Sequence, residues 1–139
     1  MSASAARQRV ALVGSPNSGK TTLFNALTGL RQKVGNYPGV TVDYVQGEVT
    51  ATSSPVTLID LPGTYNLQPI SLDERVTVGV LRGEGPEGTS PDGVVVVIDA
   101  TQIQRSLPLL AEVMAVGRPT MLVLTMIDEL KARHGRLDV

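Results

Sequence analysis

Apolar residues recur along this chain in two alternating rhythms: short unbroken runs, and stretches spaced every three or four positions. Arg9–Val13 is a short aliphatic run leading straight into a Gly-rich turn, which predicts a strand. Lys20–Leu30 puts Leu23, Phe24 and Leu27 on one helical face, with Gly29 near its end. Arg31–Gly39 is polar, contains Gly and Pro, and reads as a loop. Val40–Thr50 and Val56–Ile59 read as two strands around the turn Ala51–Pro55, a hairpin by proximity. Ser71 and Glu74 have capping-box spacing, which predicts a helix over Leu72–Leu81. Arg82–Asp92 holds Gly83, Gly85, Pro86, Gly88 and Pro91 and reads as a loop. Gly93–Asp99 is apolar at every position from Val94 to Ile98, as expected of a central parallel strand buried on both faces. Ile103–Val116 has helical spacing, Thr120–Thr125 is another buried strand, and Leu130–Arg133 begins a further helix. Strand–helix alternation with mostly aliphatic strands predicts an α/β fold, a mostly parallel doubly wound sheet with one antiparallel edge hairpin.

Composition narrows the function classes. The 139 residues suffice for one domain, with residues 1–8 a polar lead-in and residues 9–139 the domain itself. Net charge is −1 with Lys and Arg scattered, so there is no electrostatic footprint for nucleic acid or an anionic membrane. Only 3% of residues are aromatic, which argues against base-stacking platforms. Cysteine is absent, excluding disulfides and thiolate metal sites. The longest aliphatic run, Val94–Ile98, is too short to cross a bilayer, and Met1–Arg9 lacks a signal-peptide core. No His/Cys/carboxylate cluster has metal-ligand spacing, and His134 reads as a solvated side chain in a polar tail.

Gly14-Ser15-Pro16-Asn17-Ser18-Gly19-Lys20-Thr21 matches the phosphate-loop pattern at every fixed position, between a strand and a helix. Glycines let the backbone wrap a phosphate with several N–H groups pointing inward, and the helix start adds its positive dipole end. Lys20 supplies a charge for the β- and γ-phosphates, Thr21 a hard oxygen for Mg²⁺, and Thr22 a donor to a more distal phosphate. Val56–Asp60 is an aliphatic run ending in a carboxylate, the position that holds Mg²⁺, and Gly63 offers a backbone N–H to the γ-phosphate. Asp99 is a rival for the Mg²⁺ role, ranked lower because the Pro62-Gly63 turn directly follows Asp60. Thr41 either opens a strand as an ordinary β-former or completes Mg²⁺ coordination when the γ-phosphate is present.

Thr125-Met126-Ile127-Asp128 follows an apolar strand. Its Asp128 carboxylate can accept hydrogen bonds from guanine N1–H and N2–H₂, a pattern adenine lacks, which favours GTP. Asp128 and Glu129 are also suited to the first turn of a helix, and both roles are compatible. The usual pattern here is Asn-x-x-Asp; Thr125 lacks the amide that braces the phosphate loop and reaches the base.

With these residues placed, the chain resembles the N-terminal G domain of FeoB, the bacterial ferrous-iron transport protein. The resemblance runs from about Arg9 onward and rests on four segments: Gly14–Thr22, Gly35-Asn-Tyr-Pro-Gly39-Val40-Thr41-Val42, Asp60–Leu67 and Thr125–Asp128. It implies a Ras-like P-loop GTPase fold that hydrolyses GTP slowly. In the whole protein the domain would be joined to a helical regulatory domain and a membrane iron pathway, on the cytoplasmic side of the bacterial inner membrane. It implies nucleotide contacts from Gly14 to Thr22 and from Gly39, Val40, Thr41, Asp60, Gly63, Thr125, Met126 and Asp128. Thr21, Thr41 and Asp60 would serve Mg²⁺, and Asn17 an activating K⁺ that stabilises transition-state charge. Catalysis would fall to Lys20, Asn17, Thr41 and Gly63, because Thr64 stands where related enzymes carry a water-orienting Gln.

The eleven residues after Asp128 cannot hold the further helix, strand, base-contacting loop and closing helix of a complete G domain. An incomplete domain is therefore expected, with Thr120–Thr125 an exposed sheet edge that favours self-association. Three other readings remain: a nucleotide switch with little turnover, a translation- or tRNA-modification-linked GTPase, and a P-loop kinase. The charge balance and the Asn36–Thr41 segment speak against the second, and the lack of a lid and an Arg cluster against the third.

Overall fold

The computed structural model describes residues 8–30, 32–36, 43–49, 52–68, 71–84 and 90–133. Six strands form one sheet: β1 (Gln8–Gly14), β2 (Gln32–Asn36), β3 (Asp43–Glu48), β4 (Val56–Asp60), β5 (Gly93–Asp99) and β6 (Thr120–Thr125), in the order β2-β3-β4-β1-β5-β6. Helices α1 (Lys20–Thr28), α2 (Leu72–Leu81), α3 (Ile103–Val116) and α4 (Ile127–Ala132), with a short 3-10 helix at Ala100–Gln102, complete the described elements. Pairing is parallel for β4/β1, β1/β5 and β5/β6, and antiparallel for β2/β3 and β3/β4. The mostly parallel sheet with an antiparallel hairpin is therefore as expected.

Alternation within the central strands splits the core into two layers. Ala11 and Val13 of β1 face one side with Val94, Val96 and Ile98 of β5, where Val76, Val80 and Leu81 of α2 and Leu109 and Val113 of α3 cover them. Leu12, Leu58 and Val97 face the other side and pack on Phe24 of α1. With both faces sealed, β1 and β5 need apolar residues at nearly every position, which is why they read as continuous runs. The capping box at the start of α2 forms as expected: Glu74 N–H donates to Ser71 Oγ at 3.2 Å and Ser71 N–H to Glu74 Oε1 at 3.0 Å.

Two boundaries differ from expectation. Gln32–Asn36, expected as a loop, is an edge strand paired with β3 from Gln32↔Gly47 to Asn36↔Asp43. Its polar residues escape the apolar-run criterion because an edge strand needs backbone partners rather than a buried face. The last helix begins at Ile127 rather than Leu130, after Met126 adopts a left-handed φ of 62° that turns the chain out of β6. Among the described residues β6 closes one side of the sheet, with Met121 and Leu122 exposed. No helix among them is long and apolar enough to cross a membrane.

Candidate nucleotide-binding site

The parallel strands β1, β4, β5 and β6 deliver their C-terminal ends, Gly14, Asp60, Asp99 and Thr125, to one edge of the sheet, where α/β folds bind ligands. At Gly14 a Cβ would lie 2.9 Å from both Ser18 Oγ and the Val97 carbonyl oxygen, so only glycine allows the chain to fold back this tightly. The loop then passes through left-handed conformations at Asn17 (φ 64°) and Gly19 (φ 88°), and Ser18 N–H donates to Ser15 O at 3.3 Å. Such alternation gathers successive N–H groups into a concave anion site. Helix α1 starts at Lys20 with no side-chain cap and no acidic residue in its first turn, which leaves its N-terminal donors and dipole to the loop. A cavity of about 480 Å³ lies here, lined by Ser15 through Thr22 with Gly63 and Met126.

The Lys20 ammonium forms an ion pair with the Asp60 carboxylate, both side chains largely buried. Asp60 is carried there by the register Leu12↔Asp60, and Leu61 N–H extends the ladder to Leu12 O at 3.1 Å. The turn after Asp60 packs on the phosphate loop. A Cβ on Gly63 would meet Pro16 Cα and N at 3.2 Å, and Thr64 N–H donates to Gly14 O at 2.9 Å. The rival carboxylate is committed elsewhere: Asp99 Oδ1 accepts from Thr101 N–H at 2.8 Å and from its hydroxyl at 2.6 Å. Thr64 is buried, and its hydroxyl donates to the Asn66 carbonyl oxygen at 2.6 Å, so it closes its own turn rather than facing the cavity.

At the end of β6, Thr125 supplies a contact that its lack of an amide made unexpected. Its hydroxyl oxygen lies 2.5 Å from the Ser18 carbonyl oxygen and 3.2 Å from that of Ile98. A hydroxyl carries one proton, so one donor serves two acceptors and the brace on the phosphate loop is single. Met126 reaches the cavity, whereas Asp128, in the first turn of α4, is exposed and outside its lining. Thr21 and Thr22 line the cavity with exposed side chains. Gly39, Val40 and Thr41 lie outside the described residues, as does His134.

The donor types suit a hard divalent ion: the Thr21 hydroxyl belongs to a residue that lines the cavity, and the Asp60 carboxylate pairs with Lys20, which lines it too. Among the described residues no group of three or more His, Cys, Asp or Glu could hold a metal. Sequence reasoning did not single out Glu112 of α3, which accepts the Leu67 N–H at 2.6 Å across 45 positions of chain. No local signal marks a side chain whose partner is a distant backbone N–H.

A P-loop at the strand ends of a mostly parallel sheet, with a strand-end carboxylate beside its lysine, defines a G-domain fold of the GTPase class. The profile of the family described as Ferrous iron transport protein B matches residues 8–139, and the chain belongs to that family. The Fe(2+) transporter FeoB of Salmonella typhimurium is 43% identical over 135 residues, covering 94% of this chain and 17% of the transporter. That of Escherichia coli K12 is 42% identical with the same coverage. The chain thus spans about a sixth of the relatives it matches. Among solved structures, a GDP-bound mutant of S. thermophilus NFeoB superposes with a TM-score of 0.87 at 38% identity, covering 95% of this chain and 50% of that one. The G domain of the T. maritima FeoB iron transporter gives 0.79 at 44% identity, covering 90% and 76%.

Proposed function

We propose that this chain binds GTP and GDP and hydrolyses GTP slowly, with Mg²⁺ required and K⁺ stimulating, as the regulatory domain of a bacterial ferrous-iron transporter. The observation that carries this reading is the Lys20–Asp60 pair beside the phosphate loop. It joins the cation suited to β- and γ-phosphate oxygens with the carboxylate suited to Mg²⁺, so Lys20 and Asp60 would each gain a partner of opposite charge when a magnesium nucleotide binds. GDP in the S. thermophilus structure supports the choice of guanine nucleotide.

The chain's own groups bind and orient the nucleotide. The loop from Gly14 to Gly19 cradles the phosphates, Lys20 neutralises them, and the Gly63 N–H meets the γ-phosphate. Thr125 and Met126 flank the base side, and Asp128 recognises guanine N1–H and N2–H₂. Thr21, Asp60 and Thr41 would hold Mg²⁺, which would supply neutralisation of phosphate charge. Asn17 would hold K⁺, which would supply a positive charge for the transition state. Gly39 and Val40 contribute backbone groups from the segment that carries Thr41. In the whole protein a helical domain and a membrane iron pathway adjoin this domain at the cytoplasmic face of the inner membrane, and ferrous iron is the cargo.

A second reading, a nucleotide switch with little turnover, is favoured by one observation: the Thr64 hydroxyl is used within its own turn, so the position after Gly63 orients no water. Phosphate release with Mg²⁺-GTP, compared in K⁺ and Na⁺ buffers, separates the two. A K⁺-stimulated rate supports hydrolysis; tight binding without turnover supports the switch.

A further inference from the structure

The segment after Gly63 is a stiff unit anchored at both ends. Thr64 N–H bonds Gly14 O at 2.9 Å at one end. Within the segment the Thr64 hydroxyl donates to Asn66 O at 2.6 Å, and Asn66 Oδ1 accepts from Gln68 N–H at 3.0 Å. These side-chain-to-backbone turns leave little freedom between Thr64 and Gln68. The other end rests on α3. Glu112 Oε2 accepts the Leu67 N–H at 2.6 Å, a charge-assisted bond, and the Arg105 guanidinium carbon sits 3.9 Å from the centre of the Tyr65 ring. Arg105 and Glu112 are seven positions apart, close to two helical turns, so both act from one face of α3.

We propose that Glu112, assisted by Arg105, is a positioning residue for the Gly63 N–H, which rests on the reading of this site as a GTP site. Gly63 lies so close to Pro16 of the phosphate loop that an added Cβ would meet its backbone at 3.2 Å, and it is joined to Leu67 by the stiff Thr64–Asn66 turn. A shift of Leu67 on α3 therefore moves Gly63 relative to the place of the γ-phosphate. GDP has no γ-phosphate, so the contact contributes to GTP affinity and leaves GDP affinity unchanged. By the same linkage, α3 senses which nucleotide is bound.

The test uses the full chain and competition of GDP and a non-hydrolysable GTP analogue against a fluorescent GDP. Glu112→Ala and Arg105→Ala are expected to lower the analogue-to-GDP affinity ratio, the former roughly tenfold, the scale of one charge-assisted bond. GDP affinity should stay within about twofold. Glu112→Gln, whose amide oxygen still accepts from Leu67, should recover most of the ratio. Arg105 is exposed, so its variant folds and keeps the test open if Glu112→Ala does not. An unchanged ratio in both alanine variants, or equal loss of both nucleotides, overturns the positioning role. Failure of the unsubstituted chain to bind any guanine nucleotide overturns the reading of the site itself, and this role with it.

Discussion

The Thr125 hydroxyl oxygen lies 2.5 Å from the carbonyl oxygen of Ser18, tying the end of β6 to the middle of the phosphate loop. The same oxygen is 3.2 Å from Ile98 O on the neighbouring strand, and its single proton cannot satisfy both at full strength. The end of β6 and the phosphate loop are thus linked through one hydroxyl. Thr125→Val keeps the shape and removes the donor, and should weaken GDP binding roughly tenfold, the scale of leaving a buried carbonyl unpaired. Thr125→Asn offers two N–H donors and should equal or exceed the unsubstituted chain. Isothermal titration with GDP checks both.

Lys20 and Asp60 should behave differently when each is neutralised. Lys20→Ala removes the phosphate charge and should abolish GDP and GTP binding alike. Asp60→Asn removes the charge proposed to hold Mg²⁺, so nucleotide affinity should lose its Mg²⁺ dependence while binding in EDTA persists. Titrations with and without Mg²⁺ distinguish them; identical Mg²⁺ dependence in Asp60→Asn and the unsubstituted chain would remove Asp60 from the metal role.

Gly14→Ala puts a methyl group 2.9 Å from the Val97 carbonyl oxygen, a backbone atom that cannot swing aside. The phosphate loop must open, and GDP affinity should fall more than a hundredfold, a cost of about 3 kcal/mol. Circular dichroism of the same variant should show the sheet retained.

Two substitutions away from the cavity calibrate stability. Phe24 is fully buried between α1 and the sheet, and Phe24→Ala should cost about 3–5 kcal/mol. Ser71→Ala removes one half of the capping box on α2 and should cost about 1 kcal/mol. Urea denaturation compares the two, and a smaller loss for Phe24→Ala than for Ser71→Ala would contradict the core assignment.

The exposed strand β6 carries Met121 and Leu122 at 64% and 45% exposure. Apolar edges of this kind promote pairing between copies, so light scattering should show self-association rising with concentration and reduced in Met121→Lys. A monomer at all concentrations removes this edge from consideration.

How much of this was legible beforehand depended on whether the deciding interaction was local. The capping box from Ser71 to Glu74, the aliphatic β5 and the phosphate loop all declare themselves within a few residues, because a cap, a doubly buried strand and a phosphate nest are built from neighbouring atoms. The choice between Asp60 and Asp99 was harder, since both end an aliphatic strand. It turns on Asp99 bonding to Thr101 while Asp60 reaches Lys20, a distinction between a local turn and a partner 40 positions away. Strand β2 escaped notice because polar edge strands carry no apolar signature.

By itself, then, the order of residues determined the alternating α/β plan, the phosphate loop, and the residue types available to phosphate, magnesium and guanine. Tertiary structure alone decided which strand ends converge, that Thr125 braces Ser18, that Thr64 is spent inside its own turn, and that Glu112 of α3 holds the segment behind Gly63. The physical reason is that periodicity and turn chemistry act over one turn or one strand. A hydrogen bond from a side chain to a distant carbonyl or N–H is fixed only when the sheet register brings the two together.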